Sequence, residues 1–376
     1  MDQSKVEALR LQTLPVAFDL GYKDAYGNKS LARWAYVRAL LFLGYYRHGV
    51  QTGNDVEIRL IKEYMDHLIE EGIEKTINFD YASTDQISMA NALLYLYDVY
   101  QDEKYRELAD RFYESMMRFP RTEQGNFWHK ENYPNQVWLD GLYMAHLFYT
   151  GYVKRFRKEK DYSDTLSQLK SVRNLCYVED EQVYYHACDT KKLMFWADPE
   201  TGISPNVWLR SVGWLAMALV EVYETVQDAV GEKELQALKD QLLELYEGMM
   251  PHMREDMWFQ VFNREDGENN YLETSGTLML AYAMMKGARL RMLDQEWKET
   301  GRKVYESVLR HYLKEENGRI VLGGICASAG LGTNPDTGIH RSGDYAYYTT
   351  QEKVIPNNGH GVGALFLAEN EYLLTL

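Results

Sequence analysis

Apolar residues recur at helical spacing along almost the whole chain, and the helices they predict are of two kinds. In the first kind one face is apolar and the opposite face charged. Over 103–118, Tyr105, Leu108, Ala109, Phe112, Tyr113, Met116 and Met117 share a face, with Glu, Asp, Lys and Arg across from them. Residues 54–71 repeat the pattern through Leu60, Ile61, Tyr64, Met65 and Leu68, as do 160–176, 234–253, 294–312 and, more weakly, 5–18. Each predicts a helix with one buried stripe and one wet face. The second kind is apolar nearly all round and covers 31–46, 86–100, 137–152, 207–225, 272–288 and 359–375. A helix without a wet face has to be enclosed by other helices. Six enclosed helices alternating with six amphipathic ones predict an all-α toroid, an inner ring inside an outer ring.

The connections alternate as well. The links after enclosed helices are short, as at Thr52-Gly53, Gln101-Asp102 and Gly231, whereas 72–85, 119–136, 179–206, 254–271 and 313–358 are long. In a toroid all the long loops gather at one end, over the starts of the inner helices, and long loops on a compact fold usually carry function. The chain has 376 residues but only 8 Pro and no Ser/Gly/Pro-rich linker, so residues 1–376 are expected to form a single domain.

If the site lies where long loops enter inner helices, the polar residues to examine are Asp85, Asp140, Arg210, Glu273 and His360. Each has a plain structural reading, because Asp and Asn cap helix starts. For Asp85, preceded by Thr84, capping and chemistry are both open. Asp140 lies past the cap position in WLDGLYMA, amid Trp138, Leu139, Leu142 and Met144, where an unpaired carboxylate is costly. Two carboxylates from consecutive inner helices would face one pocket, the arrangement glycosidic chemistry uses when one acid holds a proton and its neighbour a charge. Aromatic residues crowd the same loops: Phe127, Trp128, Tyr133, Trp138, Tyr184, Tyr185, Phe195, Trp196, Trp208 and Trp214. Flat aromatic faces suit the C–H faces of sugars, although any one of them can equally be core. His129, His186, Arg210 and Arg341 supply candidate cations for a substrate carboxylate; the structural alternative pairs Arg210 with an Asp or Glu of a neighbouring helix.

The net charge of −15 argues against nucleic acid and anionic membrane surfaces as partners. No apolar run approaches the length of a membrane span. The three cysteines form no CxxC pattern, and MDQSKVEALRLQ lacks the basic-then-apolar pattern of a signal peptide, so the cytoplasm is the expected location. The nine His contain no HExxH or other close ligand pair, and neither GxxxxGK[ST] nor GxSxG occurs, so no metal or cofactor is expected.

Four blocks, GNFWHKENYPNQVWLDGLYMA, WADPETGISPNVWLRSVGW, YLETSGT and the late ASAGLGTNPDTG with DYAYY and NNGHGVGALFLA, resemble the unsaturated rhamnogalacturonyl hydrolases of glycoside hydrolase family 105. The resemblance runs through nearly the whole chain in order. It implies an (α/α)6 barrel, no metal, and a small unsaturated uronyl oligosaccharide as substrate. It matches Asp140 to the catalytic acid and Asp85 to the second acidic residue. Tyr36, His129, His186, Trp208, Arg210 and Trp214 match substrate-contacting positions. Two features depart from the family pattern: Arg38 stands where a small residue is common, and KKLMFWADP is short, which bears on the subsite beyond the uronate. Family 88, acting on unsaturated glucuronyl residues, resembles family 105 in its barrel.

The implied reaction is hydration rather than attack at the anomeric carbon. Protonation of C4 in the C4=C5 enol ether puts positive charge at C5, water adds there, and the hemiketal opens and expels the aglycone. The same barrel also suits a glycosidase or epimerase of saturated sugars. A helical-repeat scaffold that binds proteins would need periodic motifs and short uniform loops, which the chain lacks.

Overall fold

The two kinds of segment fold as two concentric rings. The computed structural model describes residues 3–21, 33–333 and 338–376. Its α-helices, in chain order, are α1 (Gln3–Ala17), α2 (Tyr36–Thr52), α3 (Asp55–Glu71), α4 (Thr84–Met89), α5 (Asn91–Tyr100), α6 (Glu103–Met117) and α7 (Leu139–Phe156). They continue as α8 (Ser163–Cys176), α9 (Leu209–Val226), α10 (Glu232–Met249), α11 (Thr274–Arg289), α12 (Gln295–Tyr312) and α13 (Gly359–Leu374). Around the centre α2 packs on α13, α13 on α11, α11 on α9, α9 on α7, α7 on α4, and α4 back on α2, so the inner ring closes. The amphipathic α1, α3, α6, α8, α10 and α12 lie outside it. This is the (α/α)6 barrel expected from the sequence.

Burial accounts for the division. Every residue of α11 from Thr274 to Ala288 is buried, whereas α6 buries only the Tyr105–Leu108–Phe112–Met116 side. The short links are sealed by caps: Asn54 and Asp102 each accept a backbone N–H two residues on, at 3.1 Å. At the end of the barrel where the inner helices finish, polar side chains are tolerated because they balance. Lys286 lies 2.7 Å from both Glu221 and Glu224, Arg47 2.7 Å from Glu221, and Arg289 2.7 Å from Glu371. No helix among the described residues is long and apolar enough to cross a membrane.

The other end is built by the long links, which carry short ribbons: β1 (Gln136–Trp138), β2 (Tyr177–Val178), β3 (Val183–Tyr184), β4 (Ala187–Asp189), β5 (Leu313–Glu316), β6 (Arg319–Leu322), β7 (Gly332–Thr333) and β8 (His340–Arg341). They pair antiparallel as β1–β4, β2–β3, β5–β6 and β7–β8. The β1–β4 pair, with Trp138 opposite Ala187, locks the strand entering α7 to the segment that carries His186.

Candidate active site

The inner helices deliver their first residues to one mouth. Asp85, Asp140, Arg210 and His360 are each the second residue of their helix, Tyr36 is the first of α2, and Glu273 caps α11. Two glycines let these starts come close. A Cβ on Gly276 would lie 2.6 Å from Leu209 Cγ and 2.9 Å from Arg210 N, and one on Gly141 would lie 3.1 Å from His129 Nδ1 and 3.4 Å from Thr84 Oγ1. The bare backbone therefore sets Ser275 against Arg210, and the start of α7 against that of α4.

Asp85 is held in its charged form. Burial opposes the charge, but Lys130 Nζ at 2.7 Å and His129 beside it outweigh that cost and keep the carboxyl below its ordinary range. His129 stacks on Trp138 (ring centroids 4.5 Å apart), meets Thr84 Oγ1 at 3.0 Å, and lies 3.8 Å from Asp85. Burial pulls its pKa down to about 4, against the opposing pull of Asp85. His129 is thus neutral near pH 7 and leaves the set of cations in which the sequence placed it. Lys130 and Arg210 carry positive charge at the mouth.

Asp140 has different company. Its Oδ2 is buried without a hydrogen-bond partner among the described residues and lies 3.4 Å from Nε2 of His186, which also lacks one. The His186 ring is fixed from behind by a 2.7 Å bond between Nδ1 and the Tyr348 hydroxyl, and by Trp208 at 4.7 Å. Arg210 is wholly buried, with its guanidinium 4.7 Å from the Trp208 ring. Its Nη1 donates to Ser275 Oγ at 3.1 Å and to the Cys326 carbonyl at 2.5 Å, while Nε and Nη2 have no partner among the described residues. Burial opposes its charge, but its neighbours Cys326, Glu273, Tyr36 and Asp140 raise its pKa above the ordinary value, and the guanidinium stays charged. Among the described residues Arg210 pairs with no outer-helix carboxylate.

Three residues at the mouth have structural work. Glu273 is a cap, accepting from Ser275 N, Ser275 Oγ, Gly276 N and Cys326 N at 2.7–3.1 Å. His360 bonds Asn358 Oδ1 through Nδ1 (2.7 Å), which leaves Nε2 to accept the Tyr36 hydroxyl at 2.9 Å. Arg341 donates to the Tyr133 hydroxyl and to the Leu331 and Gly332 carbonyls. Trp214, one turn below Arg210, is buried against Tyr36 and Tyr143 as the floor of the cup. All eight residues singled out from the sequence, Tyr36, Asp85, His129, Asp140, His186, Trp208, Arg210 and Trp214, therefore gather at or just beneath one mouth.

Residues 20–376 match the family model described as Glycosyl Hydrolase Family 88. The chain belongs to that family. It is 30% identical, over 99% of both chains, to a C. acetobutylicum ATCC 824 glycoside hydrolase from family 105, with a TM-score of 0.86. Protein Atu3128 of Agrobacterium fabrum is 36% identical over 198 residues, 51% of this chain and 82% of that protein. The unsaturated rhamnogalacturonyl hydrolase YesR of Bacillus subtilis strain 168 is 25% identical over 264 residues, 68% of this chain and 72% of that one. The resemblance to family 105 is upheld, and this member of family 88 is a hydrolase of the unsaturated uronyl hydrolase type.

Within this family 88 chain, sequence reasoning missed Lys130 and Tyr348. Lys130 follows His129 directly, and a cation adjoining a candidate ligand was the signal available. Tyr348 closes the DYAYY stretch of the resembling blocks, but nothing set it apart from the other tyrosines, of which the chain has 30. The aromatic set also divides: Phe127 packs on Phe119 and His146, and Tyr184 on Tyr177 with its hydroxyl on Glu244, so both belong to the core. Arg38 turns outward, over the Tyr64 ring and onto the Ala17 carbonyl.

Proposed function

We propose that the chain releases a 4,5-unsaturated uronic acid from the non-reducing end of pectin-derived, rhamnogalacturonan-type oligosaccharides by hydrating the C4=C5 enol ether. One observation carries the reading: Asp140 Oδ2, His186 Nε2, and Nε and Nη2 of Arg210 are buried polar atoms without partners, clustered at one mouth. Leaving such atoms unpaired costs about 1–3 kcal/mol each, more for charged groups, unless a ligand completes them. A carboxyl group, a histidine and a guanidinium together fit a uronate, whose carboxylate matches the free edge of the Arg210 fork. The name of the Bacillus subtilis relative supports the same substrate class.

In this reading Asp140 gives its proton to C4, and the C4=C5 π electrons form the new C–H bond. The positive charge left at C5 is shared with the ring oxygen and faces the fixed negative charge of Asp85. Asp140, now a carboxylate, takes a proton from the water that bonds to C5. The hemiketal then opens, the anomeric C–O bond breaks, and the aglycone leaves with a proton. His186, aligned by Tyr348, and the ring of Trp208 hold the sugar in place.

The test is a panel of unsaturated disaccharides differing in the aglycone, followed by loss of the absorbance of the conjugated enol ether. Turnover fastest with a rhamnose aglycone is expected. Cleavage of a saturated glycoside, with no absorbance change on any unsaturated one, would transfer the site to the saturated-sugar class.

A further inference from the structure

The loop after β4 holds large apolar side chains out in water on a rigid frame. Leu193 is 81% exposed and Phe195 57%, yet the backbone around them is pinned. The Asp189 carboxylate accepts from the N–H groups of Lys191, Leu193 and Met194 at 2.7–3.0 Å. Trp196 is buried in a cluster with Tyr133, Trp138 and Leu331. Phe195 stacks on His340, ring centroids 4.4 Å apart and planes 24° from parallel. In β8 the next residue, Arg341, turns inward, donates to the Tyr133 hydroxyl at 2.8 Å, and lies about 6 Å above the Trp138 ring. Trp138 in turn stacks on His129, beside Asp85. The Phe195–His340 pair thus sits on a lip whose inward-facing neighbours, Trp196 and Arg341, pack against the Tyr133–Trp138–His129 stack beside Asp85.

We propose that this pair is a distal carbohydrate platform, on which a sugar ring of a longer oligosaccharide stacks after its unsaturated end has entered the cup. The inference rests on the reaction proposed above. The exposed side chains of this lip, Leu193, Phe195, Ile339 and His340, fall far short of the area a stable protein partner needs. A flat ring pair offers instead a face of the size of one pyranose, and its attachment to the mouth places it along the path of the leaving chain.

The experiment uses the full chain with an unsaturated disaccharide and an unsaturated hexasaccharide of the same pectic backbone, both read by loss of enol-ether absorbance. Phe195→Ala should raise KM for the hexasaccharide about three- to tenfold, leaving kcat and the disaccharide KM unchanged, and Phe195→Tyr should restore the wild-type value. An unchanged hexasaccharide KM in Phe195→Ala, or an equal rise for both lengths, would overturn the platform. So would a dimer in sedimentation that Phe195→Ala dissociates, which would assign the lip to self-association. Wild-type protein that consumes neither substrate overturns the reaction itself, and the platform with it.

Discussion

Asp140 and Asp85 hold equivalent places on neighbouring helices, and their surroundings separate them. Asp85 is tied to Lys130 at 2.7 Å and stays charged, whereas Asp140 Oδ2 has no hydrogen-bond partner among the described residues, with His186 Nε2 unbonded at 3.4 Å. If Asp140 transfers the proton, Asp140→Asn should lower kcat by about 10²–10⁴-fold, while product binding measured by calorimetry and the folded circular-dichroism spectrum are retained. Asp85→Asn should cost less, because it removes a fixed charge rather than the transferred proton. Near-normal turnover by a folded Asp140→Asn protein would remove the mechanism. Asp140 was legible in the sequence because a carboxylate among apolar neighbours has few reasons to be there. The neutral state of His129 was not, since it depends on burial beneath Trp138 and Tyr133 that only the folded loops create.

The helices of the inner ring were legible because an apolar circumference leaves no alternative to enclosure, and their observed ends fall within four residues of the expected ones except in α2, which starts five and ends six residues later than 31–46. The break at Ala90, which splits one expected helix into α4 and α5, has no Pro or Gly to announce it. The ribbons of two to four residues are too short for a period of two to register. The close approach of α9 and α11 was equally hidden, since it depends on which side of α11 Gly276 faces. Gly276→Ala drives a methyl group into Leu209 and the Arg210 amide. It should destabilise the protein by about 1–3 kcal/mol and raise KM by displacing Arg210, as denaturant melts and kinetics on the same preparation would show. A variant with unchanged stability and unchanged KM would mean that the Arg210–Ser275 contact is not set by this packing.

Acid should unfold the chain through its buried histidines. His129 and His146 are each pulled from 6.5 to about 4, and His360 is pushed well below its ordinary value, in every case chiefly by burial. The unfolded chain then takes up protons near pH 6.5 that the folded chain refuses until about pH 4. Stability is therefore full above pH 6.5 and falls as pH drops through that window, by roughly 3 kcal/mol for each of His129 and His146. Asp85, whose charged form the fold favours, extends the loss below the ordinary carboxylate range. Urea midpoints between pH 7 and 4 should decline accordingly, and His146→Phe should flatten the slope; a level profile would contradict the assignment. The starts of all six inner helices at one mouth have an electrical meaning as well. Each start carries about half a positive elementary charge from its aligned peptide dipoles, and six parallel dipoles make the inside of the cup positive on a protein whose formal charge is −15. The two fields predict opposite responses to salt for an anionic substrate. If the −15 surface governed approach, screening would raise kcat/KM. If the ring of dipoles and Arg210 governs it, added salt should lower kcat/KM for the unsaturated uronide and leave its methyl ester nearly unaffected.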